Sequence, residues 1–241
     1  MQFASIIKQA LRHAGIDARR YGVQTSPDAQ LGRILDYFRI DLVFDVGAHE
    51  GQYAKGLRAL GYRGRIVSYE PQTAVYARLV EVSRSDRMWE VAPRTAVGDH
   101  DGDLVMHISA HSLSSSILEM LPLHEQAAPG SGIVGTERVP IRSLDQVAPP
   151  YFRDAQNVLL KIDTQGYEQH VLKGAKGILE KIALIQAELS FAPLYADQPL
   201  FDEMRQTLLS LGFRLYALFP GYVHENTGET LQVDGIFVRG S

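Results

Sequence analysis

Short apolar segments alternate with helical patterns along most of the chain after Asp41. Between the apolar segments, hydrophobic residues recur at the three- and four-residue spacing of helices. This alternation predicts a mainly parallel sheet with helices on both faces, and we expect the last segment, TLQVDGIFVR, to run antiparallel. The predicted strands lie near 42–46, 65–70, 88–92, 157–162, 182–189, 213–218 and 231–238.

Two other regions carry helical patterns. Residues 166–180 predict one helix whose apolar stripe packs on the sheet. Residues 1–40 have helical spacing in two pieces, which predicts N-terminal cover helices ahead of one domain spanning 41–241. The apolar positions of the N-terminal pieces are Ile6, Ile7, Ala10, Leu11 and Ala14, then Leu31, Ile34, Leu35 and Phe38.

Residues 99–150 interrupt the alternation of strand and helix. LVMHI and ERVPIRSLDQV suit short strands, whereas SLSSSI and APGSGIVG suit loops. Long excursions in compact domains often serve as lids or substrate loops, but this one also fits a structural hairpin on the sheet edge. The sequence leaves both alternatives open.

Composition narrows the class of partner. The 241 residues suffice for one domain with a sizeable core. With 24 basic and 28 acidic side chains the net charge is -4, which favours neither nucleic acid nor an anionic membrane as a partner. The absence of cysteine excludes disulfides, thiolate metal sites and a cysteine nucleophile. A small-molecule partner is therefore expected.

No segment has the features of a membrane span or a secretory signal. No apolar run approaches the roughly 20 residues that cross a bilayer. The first eleven residues lack a basic segment ahead of an uninterrupted apolar run. We therefore expect a soluble, cytoplasmic protein, and the apolar N-terminal helices leave room for a homo-oligomer.

The segment DVGAHEG follows the first predicted strand of the sheet. Strand-to-helix turns at this edge of a parallel sheet commonly bind ligands. Gly47 and Gly51 allow a sharp turn and a close backbone approach, and the next helix begins with its positive dipole end. The dinucleotide motif G-x-G-x-x-G would place a glycine where this chain has His49. This mismatch weakens the case for a pyrophosphate ligand.

Two acidic residues follow later strands at the same edge. Glu70 ends RIVSYE, 19 residues after Gly51 (70 − 51), where an acid suits two ribose hydroxyls. Glu70 also fits the start of the next helix before Pro71. Asp99, in TAVGDHDGD, suits either an adenine amino group or a turn that it stabilises with nearby aspartates.

Five segments resemble, in order, those of the FkbM family of S-adenosylmethionine-dependent methyltransferases: FDVGAHEGQYA, IVSYEP, AVGDHDGD, VPIRSLDQV and LLKIDTQGYEQHVLKGA. The resemblance covers roughly residues 41–190. Gln165 departs from the acidic residue that relatives commonly carry there, while Asp163, Gly166 and Glu168 stay in register. The resemblance implies an α/β, class I methyltransferase (Rossmann-like) three-layer sandwich, whose seven-stranded, mainly parallel sheet has an antiparallel last strand.

The resemblance also implies O-methylation of a hydroxyl on a small-molecule or glycolipid acceptor, such as a sugar, a glycolipid or a related natural product. S-adenosylmethionine has no phosphate, so its loop needs no pyrophosphate cradle and His49 is no defect. The family pattern assigns the methionine part of the cofactor to the first loop, the ribose to the acid after the second strand and the adenine to the later aspartate. The implied cofactor-binding residues are Asp45, Gly47, Ala48, His49, Gly51, Glu70 and Asp99.

The fourth strand of the sheet carries two charged residues on one side. Lys161 and Asp163 are two positions apart and therefore point the same way. Asp163 is a candidate base, or an acceptor that orients the substrate hydroxyl. Lys161 could tune Asp163, or act itself if burial lowers its pKa. The alternative is a buried ion pair that only supports the loop.

Other titratable residues are weaker candidates. Glu168 lies in the first turn of a predicted helix, where the dipole alone explains an acid. Glu188 ends the strand IALIQAELS beside Asp163, and the two acids could share substrate hydroxyls or hold a divalent cation. No H-x-x-x-H or acid-rich loop accompanies them, so a metal is not expected. Three histidines near the expected site are proton-acceptor candidates or surface residues: His49, His111 and His170.

Two other functions are compatible with these patterns. One is a NAD-dependent oxidoreductase on a Rossmann fold, against which His49 argues. The other is a non-catalytic protein that binds S-adenosylmethionine.

Overall fold

The computed structural model describes residues 9 and 11–240. Ile6, Ile7 and Ala10 of the first predicted N-terminal helix lie outside the described residues. The strands are β1 Leu42–Val46, β2 Arg65–Tyr69, β3 Trp89–Val91, β4 Ala96–Gly98, β5 Gly102–Ser109, β6 Ile133–Ser143, β7 Val158–Ile162, β8 Ile182–Ser190, β9 Phe213–Pro220 and β10 Gln232–Arg239. The α-helices are α1 Pro27–Tyr37, α2 Gln52–Ala59, α3 Thr73–Ser83, α4 Pro122–Ala127, α5 Leu144–Val147, α6 Pro149–Phe152, α7 Glu168–Lys173 and α8 Phe201–Ser210. Short 3-10 helices span Ser112–Ser114 and Leu179–Lys181.

The main sheet has seven strands in the order β3-β2-β1-β7-β8-β10-β9. β1 pairs in parallel with both β2 and β7, whereas β10 is antiparallel to both of its neighbours. These are the seven strands that the apolar segments predict, so the predicted mainly parallel sheet with an antiparallel last strand is confirmed. The chain leaves β1 to build one half of the sheet and returns beside β1 to build the other, which creates a switch point where ligands commonly bind.

Alternate residues of the central strands face two separate cores. Leu42, Phe44 and Val46 of β1 belong to one buried cluster, and Val43 belongs to the other. The first cluster includes residues of α7 and α8, and the second includes residues of α1 and α2. This two-residue alternation produces the predicted three-layer sandwich.

The excursion forms a second sheet rather than a hairpin on the edge of the main one. Its strand order is β4-β6-β5, with β6 parallel to β4 and antiparallel to β5. Residues 110–132 connect β5 to β6 and contain one 3-10 turn and α4. The prediction that APGSGIVG is entirely loop is wrong, because residues 133–135 already pair with β5.

The helix predicted for residues 166–180 is shorter than its apolar pattern suggests. α7 ends at Lys173, and the next residue, Gly174, passes so close to the end of β4 that an added Cβ would lie 1.8 Å from the carbonyl oxygen of Gly98. Turns and a 3-10 helix complete the connection to β8. The predicted apolar stripe is buried all the same, at Val171, Leu172, Ala175, Ile178 and Leu179.

α1 covers one face of the sheet with Leu31, Ile34 and Leu35, all of which are buried. The division of the chain into cover helices over 1–40 and a domain over 41–241 stays a prediction. Within residues 9 and 11–240, no helix is both long and apolar enough to cross a bilayer. The cytoplasmic location and the homo-oligomer also stay predictions.

Candidate active site

The loop after β1 has backbone conformations that two glycines allow. Gly47 and Gly51 have φ angles of +77° and +82°, in the left-handed region. A Cβ on Gly51 would lie 2.4 Å from the ring of Trp89, so this glycine permits packing at the start of α2. A Cβ on Gly47 would lie 1.8 Å from the carbonyl oxygen of Asp163, so the loop touches the end of β7.

Glu70 fastens this loop to the end of β2. Its Oε2 accepts a hydrogen bond from the backbone N–H of His49 (2.9 Å), and its Oε1 accepts one from the backbone N–H of Gln72 (2.8 Å). The carboxyl group is buried, and burial raises its pKa to about 7 although these hydrogen bonds oppose the rise. Glu70 thus lies at the edge where a ligand is expected and near the start of α3, and its contact with a ribose stays a prediction.

A first cavity of about 260 Å³ opens beside Glu70. Its apolar wall includes Val97, Met106 and Ile117, and its polar wall includes Glu70 and Asp163. An apolar slot next to a carboxylate suits an aromatic base attached to a ribose.

The excursion covers this cavity. Ser112 and Leu113 line the cavity, and the Oγ of Ser112 lies 2.7 Å from Nε2 of His49. The side chain of Gln72 donates to the backbone oxygen of Ser112 at 3.2 Å. The loops after β1 and β2 therefore hold part of the excursion over the cavity. The excursion thus consists of a structural sheet and a covering segment, residues 110–132.

Lys161 and Asp45 form a buried ion pair under the loop. Strand register places Asp45 directly beside Lys161, and Nζ lies 3.1 Å from Oδ1. The ammonium also donates to the backbone oxygen of Gly47 (3.1 Å) and lies 3.5 Å from Oδ2 of Asp163. Ser68 donates to the other Asp45 oxygen at 3.2 Å.

These neighbours decide the charge of Lys161. Burial alone lowers the pKa of Lys161, but the negative charges of Asp45 and Asp163 outweigh it and raise the pKa above its ordinary value. The lysine is therefore held protonated, which argues against a role as the base, and the roles of Lys161 and Asp163 in catalysis stay predictions.

Asp163 and Glu188 meet at the ends of β7 and β8 through Gln165. The Gln165 amide nitrogen donates to Oδ1 of Asp163 (2.9 Å) and to Oε2 of Glu188 (3.1 Å). Burial, followed by the charge of Asp163, raises the pKa of Glu188 well above its ordinary value. The two acids predicted to lie side by side are thus brought together.

Asp234, which no sequence motif identified, lies next to them. It pairs with Glu188 across the antiparallel β8–β10 ladder. Burial, followed by the charge of Asp163, raises its pKa to about 6. An isolated aspartate in the last strand carries no motif, so only the strand order brings it to the site.

A second cavity of about 340 Å³ lies on the other side of the loop after β1. Its walls include Asp163, Gln186 and Asp234 from the sheet and the apolar side chains of Leu31 and Leu57 from α1 and α2. The two cavities share four wall residues, namely Gly47, His49, Leu113 and Asp163.

Glu168 supports the loop after β7. Its Oε1 accepts hydrogen bonds from the backbone N–H groups of Thr164 (2.8 Å) and Gly166 (3.2 Å), and from the Thr164 hydroxyl (3.0 Å). Burial raises its pKa to about 7. These contacts place Glu168 beneath the site, and it lines neither cavity.

Asp99 and two of the histidines lie apart from both cavities. The Asp99 carboxylate contacts Nδ1 of His100 (2.8 Å) and Nδ1 of His170 (2.7 Å). Burial raises the pKa of Asp99, but these hydrogen bonds outweigh it and lower the pKa to about 2. His111 is exposed and lines neither cavity. Of the three candidate histidines, only His49 reaches the site.

The sequence also matches a known family. Residues 45–215 match the family described as Methyltransferase FkbM domain, which is more than half of the chain. The chain belongs to the FkbM methyltransferase family. The family resemblance is therefore confirmed. The cofactor of this family is S-adenosylmethionine. No curated protein matches the sequence.

Solved structures of methyltransferases resemble this FkbM chain over most of its length. A putative RNA methyltransferase, PH1948 from Pyrococcus horikoshii, is 12% identical, with 89% of this chain and 83% of that chain covered and a TM-score of 0.47. Magnesium protoporphyrin IX methyltransferase (ChlM) from Synechocystis PCC 6803, solved with bound SAM, is 11% identical. The match covers 98% of this chain and 96% of that chain, with a TM-score of 0.44.

The first cavity of this FkbM protein has the chemistry that S-adenosylmethionine needs. Glu70 offers a carboxylate for hydroxyl groups, the apolar wall suits a planar base, and the Gly47 loop leaves backbone accessible at the cavity edge. Asp45 and Gly51 line neither cavity. They support the loop after β1 from below, Asp45 through Lys161 and Gly51 through its packing on Trp89. Within residues 9 and 11–240, no group of three or more histidines and acids is arranged to hold a metal ion.

Proposed function

We propose that this methyltransferase transfers the methyl group of S-adenosylmethionine to a hydroxyl oxygen of a sugar, glycolipid or related natural product. One observation carries the proposal: Asp163 lines both cavities. The adenosine part of the cofactor fits the first cavity, with Glu70 at the ribose and the loop from Gly47 to His49 along the methionine part. The acceptor approaches Asp163 from the second cavity.

Asp163 is the proton acceptor in this proposal. When bound, S-adenosylmethionine supplies a methyl group made reactive by a positively charged sulfur. A neutral alcohol is a weak nucleophile, so Asp163 takes the hydroxyl proton as the oxygen accepts the methyl group. Lys161, which is held protonated, supplies the countercharge beside the carboxylate. Glu188 lines neither cavity and supports Asp163 from behind through Gln165, which donates to both acids.

The walls of the second cavity support a sugar-like acceptor. Its sheet side offers polar groups at Asp163, Gln186 and Asp234, whereas its helix side is apolar at Leu31 and Leu57. A sugar ring presents hydroxyl groups at its rim and C–H groups on its faces, so both sides find a partner. The total room of about 340 Å³ suits a small molecule or the head of a glycolipid.

The experiment is a methyl-transfer screen with S-adenosylmethionine labelled in the methyl group. The acceptors are sugars, glycolipids and hydroxylated natural products, and products are analysed by mass spectrometry and NMR. We expect a methyl ether with the wild-type protein. Asp163→Asn should lower turnover by about 100-fold, the range of general base catalysis, without weakening S-adenosylhomocysteine binding.

Asp202→Asn is the matched control, because its side chain is 81% exposed and remote from both cavities. Label found on nitrogen or carbon would contradict the hydroxyl acceptor. Equal turnover by Asp163→Asn and Asp202→Asn would remove Asp163 from the mechanism. Cofactor binding without methyl transfer to any acceptor in the screen would favour the non-catalytic alternative.

A further inference from the structure

The side chain of Gln165 lies between two carboxylates and uses each of its polar atoms. Its nitrogen donates to Asp163 and Glu188, and its Oε1 accepts from the Tyr195 hydroxyl at 3.0 Å. The opposite amide orientation would point its oxygen at two carboxylate oxygens, which offer no proton when ionised. The hydrogen bonds therefore fix one orientation of the amide.

The backbone of Gln165 is also held in place. Its φ angle is +56°, an uncommon value for a residue with a side chain, which persists only when surrounding contacts impose it. The Ser116 hydroxyl donates to the Gln165 backbone oxygen at 2.7 Å. Tyr195 is fully buried, and its single hydroxyl proton is shared between Gln165 Oε1 and the Ser114 backbone oxygen, each of which lies 3.0 Å from the phenolic oxygen. The covering segment therefore holds Gln165 directly through Ser116, and indirectly through Tyr195, which bonds to Ser114.

Asp163 is consequently fixed at both carboxylate oxygens. Gln165 donates to Oδ1, and the Lys161 ammonium lies 3.5 Å from Oδ2. Glu188 lies on the far side of the same amide, so one –NH₂ group separates two acids that would otherwise repel each other. Without this donor, the simplest relief of the repulsion is a rotation of the Asp163 side chain away from the junction of the two cavities.

We propose that Gln165 is a positioning residue for methyl transfer, which holds the Asp163 carboxylate at the junction of the two cavities. Through Gln165, the contacts of the covering segment also stabilise the position of Asp163. This inference rests on the proposed function, in which Asp163 accepts the hydroxyl proton. Gln165 acts through Asp163.

Gln165→Met tests the amide. This substitution keeps the approximate size of the side chain but removes the N–H donor and the Oε1 acceptor, and it adds no charge and does not restore the acidic residue that relatives commonly carry at this position. Tyr195→Phe is the matched control, because it removes the anchor on the other side of the amide while the nitrogen can still donate to both acids. Urea unfolding and calorimetry with S-adenosylhomocysteine check folding and the cofactor site of both variants.

The decisive readout is the titration of the side-chain carboxyl carbons, followed by ¹³C NMR. The charged groups that face Glu188 are Asp163, Glu168, Asp234 and Lys161, so Glu188 titrates within this cluster. In Gln165→Met the titration of Glu188 should move upward by about one pH unit or more, because the N–H donor that favours its charged form is lost. In Tyr195→Phe it should move by less than about a third of that shift.

Turnover with an acceptor from the screen gives the second readout. We expect kcat of Gln165→Met to fall at least about ten-fold with little change in KM, because a displaced base affects the transition state more than binding. An unchanged titration with normal turnover overturns the positioning role alone. An equal titration shift in Tyr195→Phe also overturns it. Absence of any hydroxyl methylation by the wild-type protein is instead a failure of the proposed function.

Discussion

The backbone of Gly47 packs against the carbonyl oxygen of Asp163 so closely that a Cβ on residue 47 would lie 1.8 Å from that oxygen. The loop after β1 and the end of β7 therefore meet through backbone atoms. This contact fixes the distance between the loop and the end of β7. At that distance the Gly47 oxygen accepts a hydrogen bond from Lys161, and the His49 N–H donates one to Glu70. Both cavities share this wall.

Gly47→Ala should therefore do more damage than its φ angle alone explains. A side chain in the left-handed region costs about 1–2 kcal/mol, and the clash with Asp163 adds to that cost. We expect the unfolding free energy to fall by more than this conformational cost alone, as measured by urea unfolding. Affinity for S-adenosylhomocysteine, measured by calorimetry, should fall at least about ten-fold.

Gly228→Ala is the matched control for the φ angle. Gly228 has φ of +73°, close to the +77° of Gly47, and an added Cβ would meet nothing within 4 Å. This variant should lose only the conformational cost and keep its affinity for S-adenosylhomocysteine. Equal losses of stability in the two variants would show that the contact with Asp163 is unimportant.

Lys161→Met should be strongly destabilising because it leaves the Asp45 carboxylate buried without its countercharge. Removing one partner of a buried ion pair typically costs about 3–5 kcal/mol. The double variant Asp45→Asn/Lys161→Met should recover a large part of this loss, since no buried charge of the pair remains. Urea unfolding of the two variants measures the difference, and a double variant no more stable than Lys161→Met would contradict the ion-pair account.

The sheet and much of the site could be predicted from the sequence because their signals are local. β1 and β7 are fully buried strands of mostly apolar residues, and Lys161 and Asp163 share a face because a strand repeats every two residues. Glu70 follows β2, so a parallel sheet brings it to the same edge as the loop after β1. Strand periodicity and the parallel topology suffice for these placements.

Features that depend on tertiary contacts could not be predicted. The apolar pattern after Gly166 continues past residue 173, but α7 ends there, where Gly174 packs against the backbone of Gly98. Gln165 marks only a departure from the family pattern in sequence, whereas in space its amide joins Asp163 to Glu188. Both facts require the positions of elements that are distant along the chain.

Glu70 should make stability fall as the pH rises from about 4.5 to about 7. Burial raises its pKa from 4.5 to about 7, so over this range the folded protein holds a proton that the unfolded chain has released. Stability falls with pH wherever the folded state binds more protons. The effect is complete above pH 7, and at about 1.4 kcal/mol per pKa unit it amounts to at most about 3.5 kcal/mol.

Glu70→Gln should weaken this pH dependence, although it costs stability at pH 5 because an amide cannot accept both backbone hydrogen bonds with oxygen. Urea unfolding at several pH values between 4 and 8 measures the slope. Glu168→Gln is the parallel variant, since burial also raises the pKa of Glu168 to about 7. A slope equal to that of the wild-type protein in Glu70→Gln would assign the pH dependence to other groups.

Asp99 and Glu70 should differ sharply in their effect on cofactor affinity, although the family resemblance assigns both to S-adenosylmethionine. Glu70 lines the first cavity, whereas Asp99 is occupied by His100 and His170 outside it. Removal of a charged hydrogen-bond acceptor from the ribose should cost Glu70→Gln at least about ten-fold in S-adenosylhomocysteine affinity, and Asp99→Asn should change it less than about two-fold. Calorimetry at pH 8, where the Glu70 carboxyl is mostly ionised, compares the two variants. A loss in Asp99→Asn as large as that in Glu70→Gln would instead show that Asp99 turns toward the adenine when the cofactor is bound.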